Sequence, residues 1–221
     1  HLLAYAYELG VDLGLKVFEE YGEKVPVTCN VKPSGNNTVV DFHNAGGVPT
    51  LAKGLKELLE TDTLTVDGQS LGENIEDNAE SPDMSTIYSL KKPYKEKGGL
   101  VILKGNICPN GAVVRASSIK ISMLEFEGPA KLFDSDLAAT KAVQEGEIAE
   151  GEVIVIRYQG PSGGPGMNEI MSTPLKLIAN HLDDSVALIT DGRFSGFNRG
   201  PIIGHISPEA ARGGTLALIE E

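Results

Sequence analysis

Three stretches of this sequence join glycines to polar side chains at the ends of apolar runs, the arrangement in which loops present chemistry. The first is Gly160-Pro161-Ser162-Gly163-Gly164-Pro165-Gly166-Met167-Asn168-Glu169, which follows a predicted strand and opens a predicted helix. Backbone N–H groups exposed at such a junction suit an anion. The stretch has neither the Gly-Lys-Ser/Thr of phosphate loops nor the spaced glycines of dinucleotide folds, so a plain tight loop is the simpler reading of it alone. Glu169, in the first turn of that predicted helix, either complements the helix dipole or offers a carboxylate to a hard cation such as Mg²⁺.

The second stretch, Asp191-Gly192-Arg193-Phe194-Ser195-Gly196-Phe197-Asn198-Arg199-Gly200, directly follows the apolar run Val186 to Thr190. Open α/β sheets place ligands at strand-to-loop junctions of this kind. A hydrolase nucleophile elbow needs Gly two residues before the serine; here Arg193 and Phe194 intervene and Gly192 is three back, which disfavours Ser-His-Asp chemistry. Ser195 by itself reads as a turn hydroxyl bonded to nearby backbone. The third stretch runs from Leu103 to Ala112 and ends in Asn110-Gly111, a pair that favours a hairpin or tight turn and is structural on its own. His1, His43, His181 and His205 form no spaced metal pair, and Cys29 and Cys108 form no Cys-x-x-Cys motif, so isolated structural roles are expected for each.

The elements that must position these loops are short. Leu2, Leu3, Ala6, Leu9 and Leu13 lie near helical spacing, but Gly10 and Gly14 interrupt them, so one helix and two shorter ones are equally compatible. Val25-Pro26-Val27 reads as a strand, Lys32-Pro33-Ser34-Gly35 as a turn, and Ala45 to Leu59 as a helix entered through Gly46-Gly47. Between about Asn78 and Gly98 the chain turns polar and proline-bearing, with Ser81-Pro82-Asp83 and Lys91-Lys92-Pro93, and a domain boundary is expected there. Strands are then predicted at Leu100 to Leu103, Ala112 to Arg115, Val153 to Tyr158, Val186 to Thr190 and Pro201 to Ile206. Helices are predicted from Ser135, as cap, to Gln144 with Gly146 closing it, and from Met167 to Leu182. The pattern is α/β.

With 221 residues and 41% hydrophobic content the chain can bury a core. Its 31 acidic against 19 basic residues give a net charge of -12, which repels phosphate backbones and anionic lipid surfaces and argues against nucleic acid or membrane partners. No apolar run approaches the roughly 20 residues that span a bilayer, so a cytoplasmic setting is expected. His1 enters the apolar pattern without an initiator Met or cap, and Ala217 to Glu221 reads as a strand with no turn after it. A piece of a longer protein is the expectation.

Gly98-Gly99-Leu100 through Lys104-Gly105-Asn106, Phe133-Asp134-Ser135, Arg157-Tyr158-Gln159-Gly160-Pro161, Gly163 to Met167, Leu188 to Gly196 and Gly204-His205-Ile206-Ser207-Pro208-Glu209-Ala210-Ala211 occur in one order with Lys32-Pro33-Ser34-Gly35 and Ala45 to Pro49 upstream. Over essentially its whole length the chain thereby resembles the dihydroxy-acid dehydratase family, which includes phosphogluconate and sugar-acid dehydratases. The resemblance implies an N-terminal α/β domain that holds an iron–sulfur cluster and part of a Mg²⁺ site, followed by a swivelling β/β/α domain like that of aconitase. Residues 1–90 would be the C-terminal part of the first domain and residues 91–221 the swivelling domain, incomplete at its C-terminus. The family's cluster cysteines would lie upstream of His1, so Cys29 and Cys108 are not expected as ligands.

The implied activity is that of a hydro-lyase converting a 2,3-dihydroxy carboxylic acid to a 2-keto acid, a step of branched-chain amino-acid biosynthesis. The cluster iron would act as Lewis acid on the C3 hydroxyl while a base removes the C2 proton. Ser195 matches the family's proposed serine base, Glu169 its metal glutamate, and Arg193 is a further candidate for charge stabilisation. The small-molecule acid would be the substrate of a cytoplasmic homodimer, and this chain alone is expected to be inactive. Phe197-Asn198 stand where dihydroxy-acid dehydratases usually carry small residues, and Ala179-Asn180-His181 replace a glycine- and arginine-containing stretch, whereas Arg199-Gly200 favours dihydroxy acids over sugar acids. A sugar-acid dehydratase of the same family and a non-catalytic phosphate- or nucleotide-binding module built on residues 160–169 are the alternatives.

Overall fold

The computed structural model describes residues 2–76, 84–196 and 198–220. Ser81-Pro82-Asp83 in the expected boundary, Phe197 in the second loop, and His1 and Glu221 lie outside the described residues. The chain divides into two units, one of residues 21–98 and one of residues 1–20 with 99–221.

In chain order the first helices are α1 (Leu2–Glu8) and α2 (Leu15–Lys24), so the periodicity of the opening residues resolves as two helices, with Gly10 at φ 68° between them. Next come α3 (Val39–Asn44), α4 (Gly47–Gly54) and α5 (Leu71–Glu76). The helix expected from Ala45 to Leu59 ends at Gly54 and resumes only as a 3₁₀ turn, Lys56–Leu58, as a mid-helix glycine favours. Val25 to Val27 gives one bridge, Val27 to Lys95, rather than a strand, because Pro26 has no N–H to offer a ladder.

The larger unit then runs β1 (Leu100–Leu103), β2 (Gly111–Arg115), β3 (Ala130–Phe133), α6 (Asp136–Glu145), β4 (Val153–Ile156), β5 (Glu169–Ile170), α7 (Ser172–Ala179), β6 (Ala187–Thr190), β7 (Arg193–Phe194) and β8 (Ile202–Ser207). A six-stranded sheet has the order β1-β2-β8-β6-β4-β3, with β3, β4, β6 and β8 parallel and β2 and β1 antiparallel beyond them. Ile154, Ile156 and Leu188 pack with α6 and α7 through Ala139, Val143 and Leu177, while Val153, Val155 and Ile189 pack on the opposite face with Ala112, Ile206 and Leu216. Burial on both faces explains why Val-Ile-Val-Ile shows no polar alternation. Each such side chain contributes about 1.5–3 kcal/mol when fully buried.

α6 follows its local signals: the Ser135 hydroxyl accepts from Ala138 N at 3.2 Å and Gly146 closes the helix at φ 74°. α7 departs from expectation by starting at Ser172 rather than Met167. Met167 sits at φ 45° and Ile170 is buried in extended backbone, so the chain pairs as a strand before it coils. His181, at φ 58°, ends α7, with Leu182 N donating to Leu177 O at 2.8 Å. The strand expected from Ala217 is instead a 3₁₀ turn, Thr215–Leu218, with Leu216 fully buried and Arg157 donating to the carbonyls of Ala217 and Ile219 at 3.4 Å. Because β3, β4, β6 and β8 are parallel, the loops after them all leave one edge of the sheet.

Candidate functional site

The glycine-rich loop after β4 and the Ser195 loop after β6 meet in a small parallel ladder, β5 against β7, with Glu169 opposite Arg193 and Ile170 opposite Phe194. Ile170 and Phe194 join the core between sheet and helices. Glu169 is thus in a strand and not in the first turn of a helix. Its side chain is exposed, and its carboxylate enters no hydrogen bond or ion pair among the described residues. Arg193 is half-buried, donates from Nε to Met167 O at 2.7 Å and makes no ion pair among the described residues. Ser195 is half-buried and follows β7 directly.

Two carboxylates from neighbouring strand ends hold these loops in place. Asp191, 2% exposed, accepts from Tyr158 N at 3.2 Å, Gln159 N at 2.8 Å and Ala210 N at 2.8 Å, joining the ends of β4, β6 and β8. Tyr158 is held at φ 60° beside it. Glu209 accepts from Ser162 N and Gly163 N, each at 3.0 Å, and Arg212 Nε donates to Ser162 Oγ at 2.7 Å. Burial raises the Glu209 pKa, but the Gly163 and Ser162 donors and the Arg212 charge outweigh it and leave the pKa below the usual glutamate value. A Cβ on Gly160 would come within 2.5 Å of the Glu209 carboxylate, so only glycine fits there. The loop amides that suited an external anion are therefore occupied by the protein's own glutamate.

The far side of the Ser195 loop is gripped by Arg115 at the end of β2. Its guanidinium donates to Gly196 O, to Asn198 O at 2.5 Å and to Asn198 Oδ1 at 3.1 Å. Burial lowers the Arg115 pKa. A cavity of about 900 Å³ in this unit is lined by Leu2, Leu15, Phe18, Leu100 and Ile102 together with Met167, Asp191, His205, Glu209 and Arg212. His205 occupies a bulge in β8 at φ 56°, with its N–H donated to Gly192 O at 2.8 Å. It lines the cavity, yet burial chiefly, with a lesser contribution from the Arg193 charge, lowers its pKa.

Among the described residues no three His, Cys, Asp or Glu side chains cluster as a metal site. Glu169, unengaged and exposed, suits one oxygen ligand of a hard cation whose other ligands come from elsewhere. Cys108 donates its thiol to Leu103 O at 3.8 Å, and burial raises the pKa of both Cys108 and Cys29, so both favour the protonated thiol over a metal-binding thiolate.

In the sequence Asp191 and Glu209 stand inside motifs without an expected role, and Arg115 only as the end of a strand. An aspartate closing the apolar run Val186 to Thr190 was a usable signal, since a carboxylate at a buried strand end must find donors. For Glu209 and Arg115 no local signal existed.

Family models for dihydroxy-acid/6-phosphogluconate dehydratases match the chain in order, the N-terminal domain over residues 1–74 and the C-terminal domain over residues 85–221. Curated proteins named dihydroxy-acid dehydratase are similar over the whole chain: 52% identical over 223 residues in Ignicoccus hospitalis, 49% over 221 in Thermodesulfovibrio yellowstonii and 46% over 223 in Acetivibrio thermocellus. The chain spans 40% of the length of each of these relatives.

Proposed function

Because the chain belongs to the dihydroxy-acid/6-phosphogluconate dehydratase family, we propose that the whole protein is a hydro-lyase that dehydrates a 2,3-dihydroxy carboxylic acid to a 2-keto acid. In this reading residues 1–90 are the C-terminal part of its N-terminal α/β domain and residues 91–221 its swivelling β/β/α domain. The observation that carries the site assignment is the β5–β7 ladder, which brings the Glu169 loop and the Ser195 loop side by side. An iron–sulfur cluster held elsewhere in the whole protein would supply a Lewis acid for the departing hydroxyl, and Mg²⁺, held in part by Glu169, would bind the substrate's oxygens.

Ser195 takes the C2 proton as the C3 hydroxyl leaves, and the resulting enol tautomerises to the keto acid. A neutral serine is a weak base, so the step needs nearby positive charge to favour the alkoxide. Arg193, two residues away and without a carboxylate partner among the described residues, is suited to supply it. Glu169 offers its free carboxylate to Mg²⁺. A branched-chain precursor acid is the favoured substrate over a sugar acid, and a cytoplasmic homodimer the favoured setting. No helix among the described residues is long and apolar enough to cross a membrane. The phosphate- or nucleotide-binding alternative loses its main support, because Glu209 takes the loop amides it required.

The test is Ser195→Ala in the full-length protein, assayed on dihydroxy acids with cluster content measured alongside. Loss of a general base should lower turnover about 10²–10⁴-fold with the cluster retained. Undiminished turnover excludes Ser195 as the base.

A further inference from the structure

We infer that Arg115 is the positioning residue that sets the conformation of the Ser195 loop, an inference that rests on the reading of Ser195 as the base. Arg115 ends β2 and is rooted through it in the six-stranded sheet. From there its guanidinium spans more than eighty residues of sequence to Gly196 O and to both oxygens of Asn198. The same short segment holds the loop at a further point, since Ser118 O accepts from Gly200 N at 3.2 Å. Ser118 in turn fixes the arginine: its hydroxyl donates to Arg115 O at 2.8 Å and accepts from Arg115 Nε at 3.4 Å.

Ser195 therefore lies between two anchors. On one side Phe194 is tied into the β5–β7 ladder, and on the other Gly196 is held by Arg115. Among the described residues the guanidinium of Arg115 bonds the Gly196 and Asn198 oxygens and the Ser118 hydroxyl, and it makes no ion pair. A half-buried guanidinium without a carboxylate forfeits solvation and regains it largely through these oxygens, most of them in the loop. Its rigid fork addresses two carbonyls at once, which the single ammonium of lysine does not reproduce.

The test uses the full-length protein as wild type, Ser195→Ala, Arg115→Gln and Arg115→Lys, with steady-state kinetics and amide hydrogen exchange. Arg115→Gln should lower kcat about 100-fold, the scale of a 1 Å misplacement, with KM little changed, because the loss is of geometry at the reacting atom. Exchange should rise at residues 196–200 and stay unchanged in α6. Arg115→Lys, the safeguard against a poorly folding glutamine variant, should keep α6 protected and restore part of kcat, leaving it about tenfold below wild type, the equivalent of one lost charge-assisted hydrogen bond. Wild-type kcat in either variant, or unchanged exchange at residues 196–200 in Arg115→Gln, overturns the inference. Full turnover by Ser195→Ala instead refutes the reading of the base. The exchange result still decides whether Arg115 holds the loop, so the two failures are distinguishable.

Discussion

Replacing Asp191 tests whether the strand-end loops depend on one buried carboxylate. The side chain is 2% exposed and takes three backbone donors, Tyr158 N and Ala210 N on Oδ2 and Gln159 N on Oδ1. An asparagine oriented with its oxygen toward the two-donor side orphans only Gln159 N, and one unsatisfied buried donor costs about 1–3 kcal/mol. An alanine orphans all three, so Asp191→Ala should cost about 3 kcal/mol at the least. For a chain of this size that lowers the Tm by about 6 °C or more. Urea and thermal unfolding give the magnitude, and amide exchange at Tyr158, Gln159 and Ala210 shows whether the loss is local. Asp191 also lines the cavity, through which water has a route to the orphaned amides. A cost for Asp191→Ala below about 1 kcal/mol, or one no larger than for Asp191→Asn, would mean that water replaces the carboxylate and that the loops are held by other contacts.

Three further outcomes are expected. Gly160→Ala places a methyl within 2.5 Å of the Glu209 carboxylate and should destabilise by about 1–3 kcal/mol while freeing the amides of Ser162 and Gly163, which exchange rates at those two residues report. The Glu209 pKa is lowered by folding, so its stabilisation is present above the ordinary glutamate value of about 4.3 and is lost as pH falls through the lowered folded value; the amide shifts of Ser162 and Gly163 should inflect below that value, and an inflection at or above it contradicts the assignment. Glu169→Gln in the full-length protein should lower Mg²⁺ affinity and turnover together, with excess Mg²⁺ restoring part of the activity, whereas superimposable activity curves against Mg²⁺ would leave Glu169 without a metal role.

What was legible in the sequence was what short-range chemistry decides. Ser135 and Gly146 bracket α6 because a cap and a left-handed closing residue act within one turn, and β4 and β6 stand out because burial on both faces leaves an unbroken apolar run. The overshoot of α7 has the opposite cause. Residues 167–170 have helix-compatible types, but Glu169 and Ile170 pair with Arg193 and Phe194, a partner 24 residues away that no local window contains. The strand expected at Ala217 failed likewise, since its carbonyls go to Arg157 instead of a neighbouring strand. The roles of Ser195 as base, Glu169 as metal ligand and Arg193 as charge stabiliser come from family resemblance, whereas the residue types alone favour a turn hydroxyl for Ser195 and leave Glu169 open between helix dipole and hard cation.

The same distinction between bulk and local properties governs the electrostatics. A net charge of -12 suggests a surface that repels anions, yet two of the carboxylates beside the loops are turned to main-chain donors. Asp191 and Glu209 spend their charge on backbone amides, the former on three and the latter on two. The guanidinium groups of Arg193 and Arg115 are bonded to carbonyl, amide and hydroxyl oxygens and have no carboxylate partner among the described residues, so their charge is not cancelled. The His205 pKa falls chiefly through burial, with a lesser contribution from the Arg193 charge. The uncancelled Arg193 charge favours negative charge beside it. An acidic chain can thus leave guanidinium charge uncancelled beside its loops where its own carboxylates are directed to main-chain donors.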